Sequence, residues 1–174
     1  AFVTSQSENS YGPWPVTDGL PTLEMHRNLP LAAQIKHFVS INAVDDIIIS
    51  NCFASEEEFE TIKGLDLTKL CLDVELVADI PKVERSIVLD ESHYNRGDFS
   101  GNIARSTMSR VKYKGHPFPV FNAPTEIKKG DIIIESDLYG HYSGELQIAL
   151  SDMTNSGKSN IVGKVVAEEL FLLD

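Results

Sequence analysis

The stretch Leu70-Cys71-Leu72-Asp73-Val74-Glu75-Leu76 decides the fold class, because its apolar side chains alternate strictly with others. Alternation of this kind puts every second side chain on one face of an extended backbone, the signature of a strand with one buried face in an antiparallel sheet. Downstream, short apolar segments predict further strands at Ser86–Leu89, Arg110–Tyr113, Asp131–Glu135, Gly144–Leu150 and Asn160–Val166. Turn chemistry separates them, most clearly at Lys128-Lys129-Gly130-Asp131 and Asn155-Ser156-Gly157-Lys158. Six short strands with few helices favour a small closed antiparallel β-barrel, its interior including Leu72, Val74, Leu76, Ile148 and Leu150.

Upstream the pattern differs. Ala1-Phe2-Val3-Thr4 reads as the end of a strand running into a Ser-, Gly-, Pro- and Asn-rich loop, Ser5–Pro21. Pro30 suits a first helical turn, and Leu31, Ile35, Phe38 and Val39 recur at helical spacing. Ile47-Ile48-Ile49 is a short continuous apolar strand, and Ser55 with Glu58 forms a capping box for a helix reaching about Lys63. The order strand, loop, helix, strand, helix belongs to parallel α/β structure. The expected fold class is therefore α+β, with residues 1–66 forming a βαβα segment and residues 67–174 the antiparallel barrel. A start directly at a strand end suggests a segment of a longer protein.

Hydrophobic residues make up 42% and charged ones 24% of the 174 residues, an ordinary composition that permits a packed core. A formal net charge of −11 disfavours nucleic acid or an anionic membrane as the general partner. No apolar run approaches the roughly 20 residues needed to span a bilayer. Cys52 and Cys71 lie in apolar contexts without paired spacing, so they read as buried thiols. His93, His116 and His141 lack metal-ligand spacing, and no metal or other cofactor is expected. Gly157-Lys158-Ser159 resembles the end of a phosphate loop, but Asp152 stands where its first glycine belongs.

Three segments carry candidate chemistry. Thr22, Glu24 and His26 lie two apart, so an extended backbone would point them the same way, with Arg27 adjacent. Arg96, Arg105, Arg110, Lys112 and Lys114 concentrate a third of the basic residues in one short window, opposed only by Asp98, which suits an anionic ligand. Arg96 and Arg105 are expected to converge there with Asn95 and Gln147 on a concave surface turned toward residues 19–27. In Tyr139–Ile148, Leu146, Ile148 and Leu150 would face the core, leaving Glu145 and Gln147 to hydrogen-bond a sugar or to face water. A noncatalytic sugar- or anion-binding module fits these residues, with a purely structural oligomerisation domain as the further alternative.

Taken in order, Gly19-Leu20-Pro21-Thr22-Leu23-Glu24, His26-Arg27, Val44-Asp45-Asp46, Phe53-Ala54-Ser55-Glu56-Glu57, His93-Tyr94-Asn95-Arg96, Arg105-Ser106, Lys129-Gly130-Asp131 and Tyr139–Ile148 resemble the MupG-like 6-phospho-N-acetylmuramidases, earlier labelled outer surface proteins. The resemblance implies a TIM barrel followed by a cyclophilin-like β-barrel, of which this chain would hold only the last part of the first, since a whole TIM barrel takes about 250 residues. It implies cytoplasmic hydrolysis of muramyl-6-phosphate disaccharides in cell-wall sugar recycling, with a phosphorylated amino-sugar disaccharide as the partner. It makes Glu24 the candidate catalytic carboxylate. It makes Thr22, His26, Arg27, His93, Asn95, Arg96, Arg105, Glu145 and Gln147 the substrate-binding candidates. The other catalytic acids would lie on a barrel segment outside this chain. His141, and Glu135-Ser136, depart from the arginine and Asp-Asn of the family pattern.

Overall fold

The structure, a computed structural model, describes all residues of the chain except Trp14, Val16 and Phe99. It divides into two compact units, Ala1–Leu72 and Asp73–Asp174.

In the first unit, strand β1 (Phe2–Val3) pairs in parallel with β2 (Ile48–Ile49), in the register Phe2↔Ile48 and Val3↔Ile49. Helix α1 (Leu31–Ile41) connects them, and α2 (Glu56–Lys63) follows β2. Helix α1 begins after Pro30 and ends at Asn42, whose left-handed backbone (φ 50°) returns its amide to the Phe38 carbonyl. Its apolar stripe, Leu31, Ile35 and Phe38, closes over Val3 to make the core. A buried polar side chain also fastens it: Gln34 receives the Thr4 amide on Oε1 at 2.8 Å and donates Nε2 to the Thr4 carbonyl at 2.7 Å. Gln34 thereby acts as a strand partner just past the end of β1, satisfying backbone groups that burial would otherwise penalise. The expected capping box is present, with the Ser55 Oγ accepting the Glu58 amide and Glu58 accepting the Ser55 amide.

In the second unit, five antiparallel strands form one sheet in the order β3 (Val74–Leu76), β9 (Ser159–Val165), β6 (Asp131–Glu135), β7 (Leu146–Ala149) and β4 (Ile103–Ser106). A separate antiparallel pair joins β5 (Glu126–Ile127) to β8 (Met153–Thr154). Strand β6 is central and buried on both faces, with Ile132, Ile133 and Ile134 each at most 2% exposed. On one face Ile133 packs with Ile127, Ala149 and Ile161.

Several expectations are corrected. The sheet is open, with β3 and β4 as unjoined edges among the described residues, so the unit is not the closed barrel the turn spacing suggested. The cause lies in two segments expected to be strands. Ser86–Leu89 belongs to helix α3 (Lys82–Asp90), and Arg110–Tyr113 overlaps helix α4 (Met108–Lys112), so neither supplies a closing strand. Pro81 sets the start of α3, and Val83 and Ile87 share a helical face that a short apolar run conceals. In α4 the buried Ser109 hydroxyl donates to the Gly144 carbonyl and accepts the Leu146 amide, a tertiary anchor without any periodic signal. Leu72, Val74, Leu76, Ile148 and Leu150 are only partly buried; the deepest side chains of the sheet lie on β6, β7 and β9. Cys52 and Cys71 are exposed rather than buried, because β2 ends before the first and β3 begins after the second.

Candidate functional site

The second unit holds its polar cluster where β4, β7 and β6 run side by side. Arg105 of β4 is in register with Gln147 of β7, so their side chains share a face of the sheet. Just before β7, Gly144 in the left-handed region (φ 78°) and Glu145 together oppose the single residue Glu135: the Gly144 amide donates to the Glu135 carbonyl, and the Glu135 amide to the Glu145 carbonyl. This is a glycine bulge, which turns the strand locally and re-aims the side chain that follows. Only glycine fits, since a Cβ here would stand 2.5 Å from the Phe118 ring.

Glu145 is fully buried and sits at the centre. Its Oε1 accepts from Arg105 Nε at 2.9 Å and from Gln147 Nε2 at 3.2 Å, with Arg105 Nη2 at 2.7 Å. Its Oε2 has no hydrogen-bond donor among the described residues, although Arg110 Nε lies 3.3 Å away as an ion pair. Both guanidiniums lie over the Tyr142 ring, at 5.0 and 5.4 Å from its centroid, within cation–π range. Arg110 also donates to the His141 carbonyl at 3.0 Å. Burying a carboxylate costs several kcal/mol unless paired, so two guanidiniums and an amide keep this one tolerable. Beside it the carboxyl of Glu135 is raised above its usual range, first by burial and further by the charge of Glu145, while the Ser159 hydroxyl donates to it at 2.7 Å.

Outward from this core, Arg105 and Arg96 converge on Asp98. Arg96 Nε lies 2.8 Å from one Asp98 oxygen and Arg105 Nη1 3.7 Å from the other. The Arg96 amide donates to the Arg105 carbonyl, and Asn95 Oδ1 accepts the Arg105 amide, so Asn95 holds the segment to β4. Arg96, Arg105, Asn95 and Gln147 are thus brought together. Lys112 leaves the group, pairing with Glu91 at 2.9 Å. His93 spends both ring nitrogens internally, one with Ser106 Oγ and the other with the Ile87 carbonyl. The cluster members that motif reasoning left out of the site are Arg110, Tyr142, Glu135 and Ser159. Arg110 was visible in the basic window, Glu135 and Ser159 meet through the register of β6 with β9, and Tyr142 comes from the 3-10 segment Asp137–Tyr142.

In the first unit the expectation of one ligand-facing side for Thr22, Glu24 and His26 is corrected, because Glu24–His26 form a 3-10 turn that fans their side chains apart. The Thr22 Oγ1 accepts the Phe2 amide. His26 is fully buried, its Nε2 2.7 Å from His37 Nδ1 and its ring edge-on to Phe38. Glu24 is exposed and grips Arg27 through both oxygens, at 2.6 and 2.7 Å, and this contact holds its carboxyl below the ordinary range. Arg27 also donates to the Gly19 carbonyl and lines a polar cavity of about 330 Å³ with Ser5, Ser10, Thr17, Asp18 and Asn51. The cavity lies past the C-terminal ends of β1 and β2, where catalytic groups gather in parallel α/β folds. Among the described residues no group of three His, Cys, Asp or Glu side chains is placed to hold a metal ion, and no helix is long and apolar enough to cross a membrane.

A parallel βαβα unit with a polar cavity at its strand ends, joined in sequence to an antiparallel sheet carrying an arginine cluster, defines an α+β protein. The chain belongs to the 6-phospho-N-acetylmuramidase family: the model of the family's N-terminal region matches residues 1–64, and that of its C-terminal region matches residues 70–174. No curated protein matches the chain. Two solved structures are similar. One, the crystal structure of an uncharacterized B. cereus protein, is 45% identical over 100% of this chain and 50% of its own, with a TM-score of 0.93. The other, a conserved protein from Enterococcus faecalis with an unknown function, is 21% identical over 98% of this chain and 45% of its own, with a TM-score of 0.64, a likeness of fold. The chain thus spans about half the length of the solved proteins it matches.

Proposed function

We propose that this chain supplies ligand-binding surfaces to a cytoplasmic glycoside hydrolase that cleaves muramyl-6-phosphate disaccharides during recycling of cell-wall sugars, the βαβα unit being part of a TIM barrel. Membership of the family supports the reaction class. The observation that carries the ligand class is the meeting of Arg96 and Arg105 on one carboxylate, beside Arg110 and the Tyr142 ring. Guanidinium pairs suit a phosphate or lactyl carboxylate, because their planar donors match its oxygens and stay charged at any working pH. In the first unit, Arg27 and the hydroxyl and amide groups of the strand-end cavity suit the sugar.

Glycoside hydrolysis needs a proton donor and a second, ionised carboxylate. Glu24, held in its charged form by Arg27, fits the ionised role and is poorly suited to donate a proton. The donor in this reading belongs to the remainder of the intact protein. Thr22 and His93 act through the fold, since their side-chain polar atoms are taken by Phe2, Ser106 and Ile87, and His26 does so as a fully buried ring against His37.

Arg96 is the right position to test, because Arg105 also neutralises buried Glu145 and its loss would disturb folding. In the intact protein, Arg96→Ala should raise KM for a muramyl-6-phosphate disaccharide roughly tenfold, the loss of one hydrogen bond to a charged group, with little effect on an unphosphorylated analogue. Equal effects on both substrates would remove Arg96 from phosphate recognition. Binding of the disaccharide by the intact protein without any cleavage would instead favour a noncatalytic sugar-binding role.

A further inference from the structure

The geometry points to Asp98 as a built-in occupant of an anion subsite: its carboxylate fills the place between Arg96 and Arg105 that a phosphate or carboxylate group of the ligand takes over on binding. The inference rests on the ligand class proposed above and adds that the subsite is guarded by the chain's own anion.

Three observations support it. Each Asp98 oxygen faces a different guanidinium, Oδ1 toward Arg96 and Oδ2 toward Arg105, as two terminal oxygens of one incoming anion would. The clamp does not depend on Asp98 for its shape. Arg105 is positioned by Glu145, by the Asn95 contact to its amide and by its register with Gln147, while Arg96 is bonded to Arg105 through the backbone. Asp98, by contrast, leaves about half of its side chain exposed and has no other polar partner among the described residues, against 17% exposure for the Arg105 side chain. Apart from its own atoms and those of Arg96 and Asp98, no heavy atom of the described residues lies within 4 Å of where a side chain at the neighbouring Gly97 would begin. The clamp is therefore anchored and the carboxylate filling it is not.

The energetics favour exchange. An exposed ion pair contributes little net attraction in water, so Asp98 is a weak competitor. A phosphate monoester brings close to two charges and three terminal oxygens, and so exceeds an aspartate in both charge and donor matching. Simple carboxylates offer no such advantage, so the subsite should prefer phosphate.

The test titrates the chain at constant ionic strength with inorganic phosphate and, separately, with acetate, following the side-chain Nε signals of Arg96 and Arg105 by NMR. Asp98→Asn should bind inorganic phosphate at least about tenfold more tightly than the unaltered chain, with a smaller gain for acetate. Adding Arg96→Ala to Asp98→Asn should abolish the gain. Asp79→Asn, which removes one negative charge elsewhere, should leave affinity unchanged. Equal affinity of Asp98→Asn and the unaltered chain, a gain that survives Arg96→Ala, or an equal gain from Asp79→Asn would each overturn the proposal, and a larger gain for acetate would overturn its preference for phosphate. The substrate reading fails separately: a phosphate gain in Asp98→Asn combined with indifference of the intact protein to substrate phosphorylation leaves the guarded subsite standing and removes the phosphosugar.

Discussion

His26 shows how one residue moves from expected ligand to structural element. Spacing placed it beside Glu24 on a ligand-facing side, but the 3-10 turn carries it inward against His37 and Phe38. Burial, and then the nearby His37, lower its imidazole from about 6.5 to about 4, and burial lowers His37 as well. The unfolded chain therefore binds protons that the folded one refuses. This contribution to stability is complete above about pH 6.5 and is lost as pH falls from there through about 4. Thermal unfolding between pH 7.5 and 5, above the range where the lowered carboxylates titrate, should show Tm falling with pH, and His26→Gln should flatten that slope. An unchanged slope in the variant would mean that another group governs the acid transition.

At the scale of elements, the glycine bulge before β7 does most to build the cluster. Gly144 and Gly157 share the same backbone angle, φ 78°, yet a Cβ at Gly157 meets nothing within 4 Å, whereas one at Gly144 meets the Phe118 ring. Gly157→Ala should therefore cost only the left-handed backbone penalty, about 1–2 kcal/mol. Gly144→Ala should cost that plus about 1–3 kcal/mol of overpacking. Denaturant midpoints of the two variants measure the difference. Equal losses would show that Phe118 yields freely and that the bulge is not locked by packing. Because Glu145 follows Gly144, the Arg105 Nε signal should shift in Gly144→Ala and stay in place in Gly157→Ala.

For the whole molecule, the chain spans about half the length of the solved structures it resembles, and its carboxylates are unevenly suited to catalysis. Glu135 and Glu145 are 5% and 0% exposed and engaged by Ser159 and by Arg105, Arg110 and Gln147, while Glu24 is exposed and paired with Arg27. None of them is an accessible acid facing a second carboxylate. If the intact protein has the activity proposed above, the 174-residue chain alone should show no measurable cleavage of a muramyl-6-phosphate disaccharide under the same conditions. Turnover by the chain alone would place the full acid pair within these residues.

The sequence by itself determined what is written in local patterns: the helical stripe of α1 after Pro30, the Ser55–Glu58 capping box, the strands expected at Ile47–Ile49, Asp131–Glu135 and Asn160–Val166, and the concentration of arginines between residues 96 and 110. Each of these rests on neighbours a few residues apart, where side-chain periodicity and capping chemistry act directly. Tertiary structure alone decided that the sheet stays open, because Ser109 finds its hydrogen bonds 35 and 37 residues away at Gly144 and Leu146, within a helix that apolar spacing represents as a strand. It also decided which cations form the cluster. Arg105 and Glu145 lie 40 residues apart and meet through the register of β4 with β7, while Lys112, close in sequence, turns to Glu91. Charge density along a chain is local, but the partner that neutralises a buried charge is chosen by strand pairing, a long-range contact that composition and spacing do not encode.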